Sequence, residues 1–268
     1  MRRYAAGIDL GTACTKVIII DSDGEVLARS LEKTGFQPDR AAARCLADAL
    51  AAAGLAQGDL SAVVSTGFAR HLASMRHRAV TELTAATQGA RLLFPAAGSV
   101  LDLGGQTIKA CRFDQQGRIL AFRLNEKCAS GTGAFLERTA RIMGVGLDQV
   151  DGLAKQSLHP APISSVCAVF AESEIISQLM QAVPPQDIML GALVACVERA
   201  LQILRQAGLQ DELVLAGGVL RFSTAVELLQ QKLGGQVRLP TDGMRQFVAA
   251  LGAARIGIRF GTEISSSV

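Results

Sequence analysis

A chain of 268 residues with 49% hydrophobic residues and only seven prolines is long enough for two modest domains, each with its own core. A net charge of +3, with no basic block interleaved with aromatics, excludes nucleic acid as the expected partner. No apolar run approaches the ~18 residues of a membrane helix, and Asp9 and Lys16 interrupt the stretch that follows Arg2 and Arg3, so it does not read as a signal peptide. The six cysteines are scattered without close pairing, which suggests no disulfide framework and fits a reducing cytoplasm.

Residues 5–34 read as a strand ending at Asp9, a short Gly-Thr turn, a strand rich in β-branched residues, a Ser-Asp-Gly turn and a third strand, which together make a β-meander. The same pattern returns over residues 98–127 at an offset of 93. Asp9 matches Asp102, Gly11 matches Gly104, Lys16 matches Lys109, Asp21 matches Asp114 and Gly24 matches Gly117. The second half of the unit recurs as well. Residues 40–54 read as a helix followed by a strand at 62–67, and residues 187–208 as a helix followed by a strand at 212–218. Each copy would be a three-stranded meander, a helix and a further parallel strand, with helices on the sheet: an α/β fold. The expected division is 1–95 and 96–243, the second carrying an insertion at 125–186. A helix over 244–260, with Phe247, Val248, Leu251, Ala254 and Ile258 on one face, would pack back on the first domain. The final TEISSSV is expected to fray.

DLGTACTK (9–16) and DLGGQTIK (102–109) each place a carboxylate at a strand end beside a tight turn. Glycine lets the backbone approach a phosphate, and turn N–H groups and hydroxyls can bond its oxygens. Two such turns, one per domain, would grip a triphosphate from both sides. Candidate contacts are Asp9, Gly11, Thr12, Ala13 and Lys16 in the first loop, and Gly104, Gly105, Gln106 and Thr107 in the second. Asp9 and Asp102 would face Mg²⁺ through water, since Mg²⁺ keeps much of its hydration. The third strand end, with Gly217, Gly218 and Val219, would carry the adenosine, and Gln106 with Asp102 would orient the attacking water.

In NEKCASGTG (125–133), Cys128 precedes a Gly-rich turn and a helical run marked by Phe135, Leu136, Ile142 and Met143. Gly131, Thr132 and Gly133 join the nucleotide candidates. In ISSVCAVFAESEIIS (163–177), Cys167 stands in the same setting. A cysteine at a helix start is favoured as a thiolate, the form that binds metal. The bland alternative is a pair of buried structural thiols; a structural zinc site is another, because Zn²⁺ also accepts four thiolates. Cys45, Cys111 and Cys196 read as core, Glu172 and Glu174 as facing water, and His71, His77 and His159 as isolated.

With these loops and cysteine segments in place, the chain resembles the ATPase superfamily of acetate kinases, sugar kinases, Hsp70 and actin, built of two RNase H-like domains around a nucleotide cleft. More closely it resembles the activators of 2-hydroxyacyl-CoA dehydratases and the related ATP-binding subunits of benzoyl-CoA reductases, the BadF/BadG/BcrA/BcrD-type ATPases. The resemblance runs from about residue 5 to residue 258 and is most specific in NEKCASGTGAFLE and ISSVCAVFAESE. It implies a homodimer with one oxygen-sensitive [4Fe–4S] cluster, Cys128 and Cys167 coming from each subunit. It also implies ATP hydrolysis to ADP that drives a low-potential electron from a donor such as ferredoxin or flavodoxin to a dehydratase partner. Thr12 stands where the activators often carry serine, and Thr107 where they often carry aspartate. The alternatives on the same frame are a small-molecule (sugar) kinase and a nucleotide-gated, actin-like scaffold.

Overall fold

The computed structural model describes residues 3–125, 132–163, 168–208 and 212–265. Cys128, Cys167 and Gly131 lie outside them, so the expectations placed on those three residues find no test in the geometry.

The first half is built on β1 (Tyr4–Leu10), β2 (Cys14–Asp21) and β3 (Val26–Lys33), an antiparallel meander in which Asp9 sits opposite Lys16. Helix α1 (Pro38–Ala53) returns the chain to β4 (Leu60–Thr66), parallel to β1, and the two-residue strand β5 (Arg78–Ala79) closes the sheet in the order β3-β2-β1-β4-β5. After α2 (Glu82–Leu93) the pattern repeats with β6 (Ala97–Leu103), β7 (Ile108–Phe113) and β8 (Ile119–Leu124). The inserted helices α3 (Gly133–Ile142), α4 (Val150–Ala154) and α5 (Ala168–Met180) follow. Then come α6 (Pro185–Ala207), β9 (Glu212–Ala216), α7 (Ser223–Leu233) and β10 (Val237–Arg238), giving the sheet order β10-β9-β6-β7-β8. Each sheet thus has five strands in matching order; β5 and β10 were not foreseen, being too short to show a period.

The repeat has a local cause that is visible in both copies. Asp21 Oδ1 accepts from the N–H groups of Asp23 and Glu25 at 2.9 and 3.0 Å, and Asp114 Oδ1 accepts from those of Gln116 and Arg118 at 2.9 and 2.8 Å. These carboxylate-closed turns need a residue at positive φ, supplied by Gly24 (92°) and Gly117 (79°).

Alternating strand residues face opposite helices. On the first sheet, Ala6, Ile8, Val17 and Ile19 pack with Ala42, Cys45 and Leu46 of α1. The other face, Ala5, Ile18 and Ile20, meets Ala250, Leu251, Ala254 and Ile258 of α8 (Val248–Ser265). On the second sheet, Leu101, Leu103, Ile108 and Ala110 pack with α6, and Val100, Cys111 and Phe113 pack with Ala86 and Ala90 of α2. Helices α2 and α8 cross between the sheets, and Gly89 and Gly252 make the crossing tight.

Three expectations are corrected. The last helix begins at Val248 and continues to Ser265, into the stretch expected to fray. Glu172, 28% exposed, does not only face water; it pairs with Arg138 at 2.8 Å at the surface, joining α5 to α3. The sheets have five strands rather than four. Cys45, Cys111 and Cys196 are buried in separate cores, and burial pushes the Cys196 thiol up to about 12. Among the described residues no helix is long and apolar enough to cross a membrane.

Candidate functional site

The site forms where the parallel strands of both sheets end, the usual position for ligands in open α/β sheets. In each half the first hairpin turns on a glycine that no other residue could replace without displacing backbone. A Cβ on Gly11 would lie 2.8 Å from the Cys14 carbonyl oxygen, and one on Gly104 would lie 2.9 Å from that of Thr107. A second glycine follows the parallel strand. Gly67 (φ 97°) and Gly217 (φ 107°) would bring a Cβ to 2.5 Å from the Leu10 oxygen and 2.3 Å from the Leu103 oxygen. The backbone therefore comes as close as it can to each strand end that carries an aspartate.

The loops of the two halves face one another. A Cβ built on Gly105 would stand 3.3 Å from Ala13 Cβ and 3.6 Å from Thr12 Oγ1. Around this meeting point lies a cavity of about 370 Å³. Its wall brings together Asp9, Gly11, Thr12, Ala13 and Lys16 from the first half with Asp102, Gly104, Gly105, Gln106, Thr107 and Lys109 from the second. Gly133, Gly217, Gly218 and Val219 complete the candidates on the wall. Thr132 is fully buried at the start of α3 and is not part of the wall.

The floor is charged. Lys16 Nζ donates to Asp9 Oδ2 at 3.0 Å, and Lys109 Nζ lies 3.0 Å from Glu82 Oε1 and 3.6 Å from Asp102 Oδ2. Neither lysine is a solvated strand residue: their side chains are 14% and 6% exposed. Burial works against the charged form of Lys109, but Asp102 and then Glu82 outweigh it, and its pKa ends above the ordinary value. For Lys16, burial is likewise outweighed, chiefly by Asp9. Glu82 moves the other way: desolvation raises its pKa further than Lys109 lowers it.

Glu82 is the main residue the sequence reading missed. It opens α2 behind the N-cap Thr81, whose side chain accepts from the Thr84 N–H at 3.2 Å, so its carboxylate is set at a helix start. A Thr-Glu pair before an alanine-rich helical run was the available signal. The wall also includes Phe68, Asn125, Arg221, Arg245 and Gln246. Asn125 Oδ1 accepts from the Ile108 N–H at 2.7 Å, locking the end of β8 to the start of β7. Chemically, the cleft offers turn amides and hydroxyls for phosphate oxygens, and carboxylates for a hydrated cation.

Two five-stranded α/β sheets of matching order, facing each other across paired glycine turns, define the two-domain ATPase class that includes sugar kinases, Hsp70 and actin. The chain belongs to the BadF/BadG/BcrA/BcrD ATPase family, whose sequence profile matches residues 6–257. It is 36% identical over 251 residues to the activator of lactoyl-CoA dehydratase of Anaerotignum propionicum, a match covering 94% of this chain and 96% of the relative. It is also similar to the crystal structure of (R)-2-hydroxyglutaryl-CoA dehydratase component A of Acidaminococcus fermentans. The TM-score there is 0.90 at 31% identity, over 97% of this chain and 99% of the other. The activator of the 2-hydroxyisocaproyl-CoA dehydratase from Clostridium difficile, with bound ADPNP, gives a TM-score of 0.90 at 31% identity over 99% and 98%.

Proposed function

We propose that this protein is an ATP-hydrolysing activator in which nucleotide turnover drives one low-potential electron to an acyl-CoA-processing partner. The observation that carries the reading is the meeting of the Asp9–Lys16 and Asp102–Lys109 turns across one cavity, with Glu82 on its floor. The amides of residues 11–13 and 105–107 take phosphate oxygens, while that of Gly104 closes the turn on the Thr107 carbonyl at 2.8 Å; Lys16 and Lys109 balance the phosphate charge, and the strand end at Gly217–Val219 takes the nucleoside. Asp9, Asp102 and Glu82 would hold a Mg²⁺ ion through water, which would neutralise phosphate charge. Gln106 and Asp102 orient the attacking water, and Glu82 takes its proton.

Cys128 and Cys167 from each of two copies would hold a [4Fe–4S] cluster, four thiolates around a two-fold axis. When bound, the cluster supplies one-electron chemistry at low potential. Two observations support this assignment. The helices that follow the two cysteines, α3 and α5, pack together through Arg138 and Glu172, and three of the other four cysteines are committed to cores. The electron comes from a reduced ferredoxin or flavodoxin. It goes to a dehydratase of 2-hydroxyacyl-CoA thioesters, the class named in the relatives, or to a benzoyl-CoA-reductase-like enzyme, all in the cytoplasm.

Iron and sulfide analysis of protein prepared under argon tests the reading. About four of each per dimer are expected, and Cys128→Ser should remove them together with ATP-dependent activation of a 2-hydroxyacyl-CoA dehydratase. A colourless, iron-free protein after anaerobic reconstitution would sink the electron-transfer function. Glu82 favours one second reading, because it gives the cleft the carboxylate base that a sugar kinase needs and that the sequence did not reveal. ATP turnover that depends on an added sugar would select that reading instead.

A further inference from the structure

The two phosphate-facing loops are anchored by different parts of the chain. In the first, the end of β3 draws the carbonyls back: Thr34 Oγ1 donates to the Gly11 carbonyl at 2.8 Å, and the Thr34 N–H donates to that of Ala13 at 3.0 Å. Thr34 is 5% exposed, and its hydroxyl also meets Thr15 Oγ1 at 3.0 Å. In the second loop the corresponding anchors come from outside the sheet, from the first two amides of the inserted helix α3. The Gly133 N–H donates to the Gly104 carbonyl at 3.0 Å, and the Ala134 N–H to the Gly105 carbonyl at 2.7 Å. A trans peptide points its C=O and N–H in opposite directions. Fixing the carbonyls of Gly104 and Gly105 therefore fixes where the N–H groups of Gly105 and Gln106 point, and both residues line the cavity.

We propose that Gly133 is a positioning residue of the nucleotide site. Through its N–H, together with that of Ala134, α3 sets the peptide planes of the second phosphate loop, so nucleotide affinity and the state of α3 are linked. The first loop, held by Thr34, is independent of the insertion. The linkage is reciprocal: whatever biases α3 changes nucleotide affinity by the same factor as nucleotide biases α3. The proposal rests on the nucleotide reading above and goes further, because it assigns the coupling to one of the two loops.

The test uses Gly133→Pro. Gly133 is the first helical residue, where proline is well tolerated, and Thr132 before it (φ −110°, ψ 171°) has the extended backbone that precedes proline. The helix is kept, and the ring Cδ takes the place of the amide hydrogen, so the Gly104 carbonyl loses its donor and must turn away. Gly133→Ala keeps the N–H and places a Cβ 3.3 Å from Gly105 Cα, so it measures the effect of the added Cβ alone. Titration with ADPNP should show the proline variant binding at least about fivefold more weakly than the alanine variant, since one hydrogen bond is lost and the Gly104 carbonyl is turned away. Hydrogen exchange over residues 132–142 should slow when ADPNP binds the unmodified protein, and this response should vanish in Gly133→Pro. Thr34→Val should also weaken binding, with recovery in Thr34→Ser, yet leave the response of 132–142 intact. Equal affinities for the proline and alanine variants, or ADPNP binding with unchanged exchange over 132–142, would overturn this proposal alone. Failure of the unmodified protein to bind ADPNP would overturn the ATPase reading and the proposal with it.

Discussion

Alanine in place of Gly252 should destabilise the protein by about 3 kcal/mol or more, the upper range for overpacking a close contact. The added Cβ would lie 1.8 Å from the Ala85 carbonyl oxygen and 2.6 Å from the Gly89 nitrogen. Both are backbone atoms of α2, so no side chain can swing aside. The reciprocal holds for Gly89, where an added Cβ would lie 1.9 Å from the Val248 carbonyl oxygen of α8. Relief requires the helices to separate, and each is fastened to a different sheet, α8 through Ala250 and Leu251 and α2 through Ala86 and Ala90. A melting temperature lower by about 6–12 °C is expected for a chain of this size. Gly58→Ala serves as the control. Nothing lies within 4 Å of its Cβ position and its φ is not positive, so the change should stay within about 0.5 kcal/mol. Unfolding of Gly252→Ala at the temperature of the unmodified protein would mean that the helices slide apart freely, and the close crossing would lose its structural role. The same displacement would carry the N-terminus of α2, and with it Glu82, away from Lys109.

The hairpins, the loops and the pairing of Asp9 with Asp102 were legible because they depend on short-range chemistry: a carboxylate that closes a turn, a glycine at positive φ, a run of β-branched residues. All of it recurs at an offset of 93, which multiplies a weak local signal. What escaped depends on distance. Glu82 meets Lys109 from a helix outside the repeated unit, so the offset says nothing of it. The Arg138–Glu172 pair joins two helices of the insertion, where no second copy exists for comparison. The tethering of Gly104 and Gly105 by Gly133 and Ala134 is a matter of backbone amides, which the side-chain sequence does not encode directly. The family resemblance reached the cysteines through their flanking residues, not through any physical rule that would bring Cys128 and Cys167 together.

Glu82→Gln should lower kcat for ATP hydrolysis by about 10²–10⁴-fold with little change in KM, the range for loss of a general base. Glutamine keeps the size of the side chain and its contact with Lys109 but accepts no proton. The active form of the wild-type residue is the carboxylate, so the rate rises with pH as Glu82 ionises. Because desolvation raises its pKa, that acid limb should lie above the range of an ordinary glutamate, and it should be absent in the variant. Stability should not follow activity. A carboxyl with a raised folded pKa binds its proton more tightly when folded, so its ionisation costs stability as pH rises through that window, and removing it carries no such penalty. Lys109 has the opposite sign. Its pKa is raised by Asp102 and Glu82, so its contribution is present at neutral pH and is lost only as pH climbs through its own folded value. Lys109→Met therefore separates the roles. It leaves Glu82 and Asp102 without the cation between them, which should push the Glu82 pKa higher still and move the acid limb of the rate to higher pH. A limb that stays in place in Lys109→Met, or survives in Glu82→Gln, would remove Glu82 from the proton transfer.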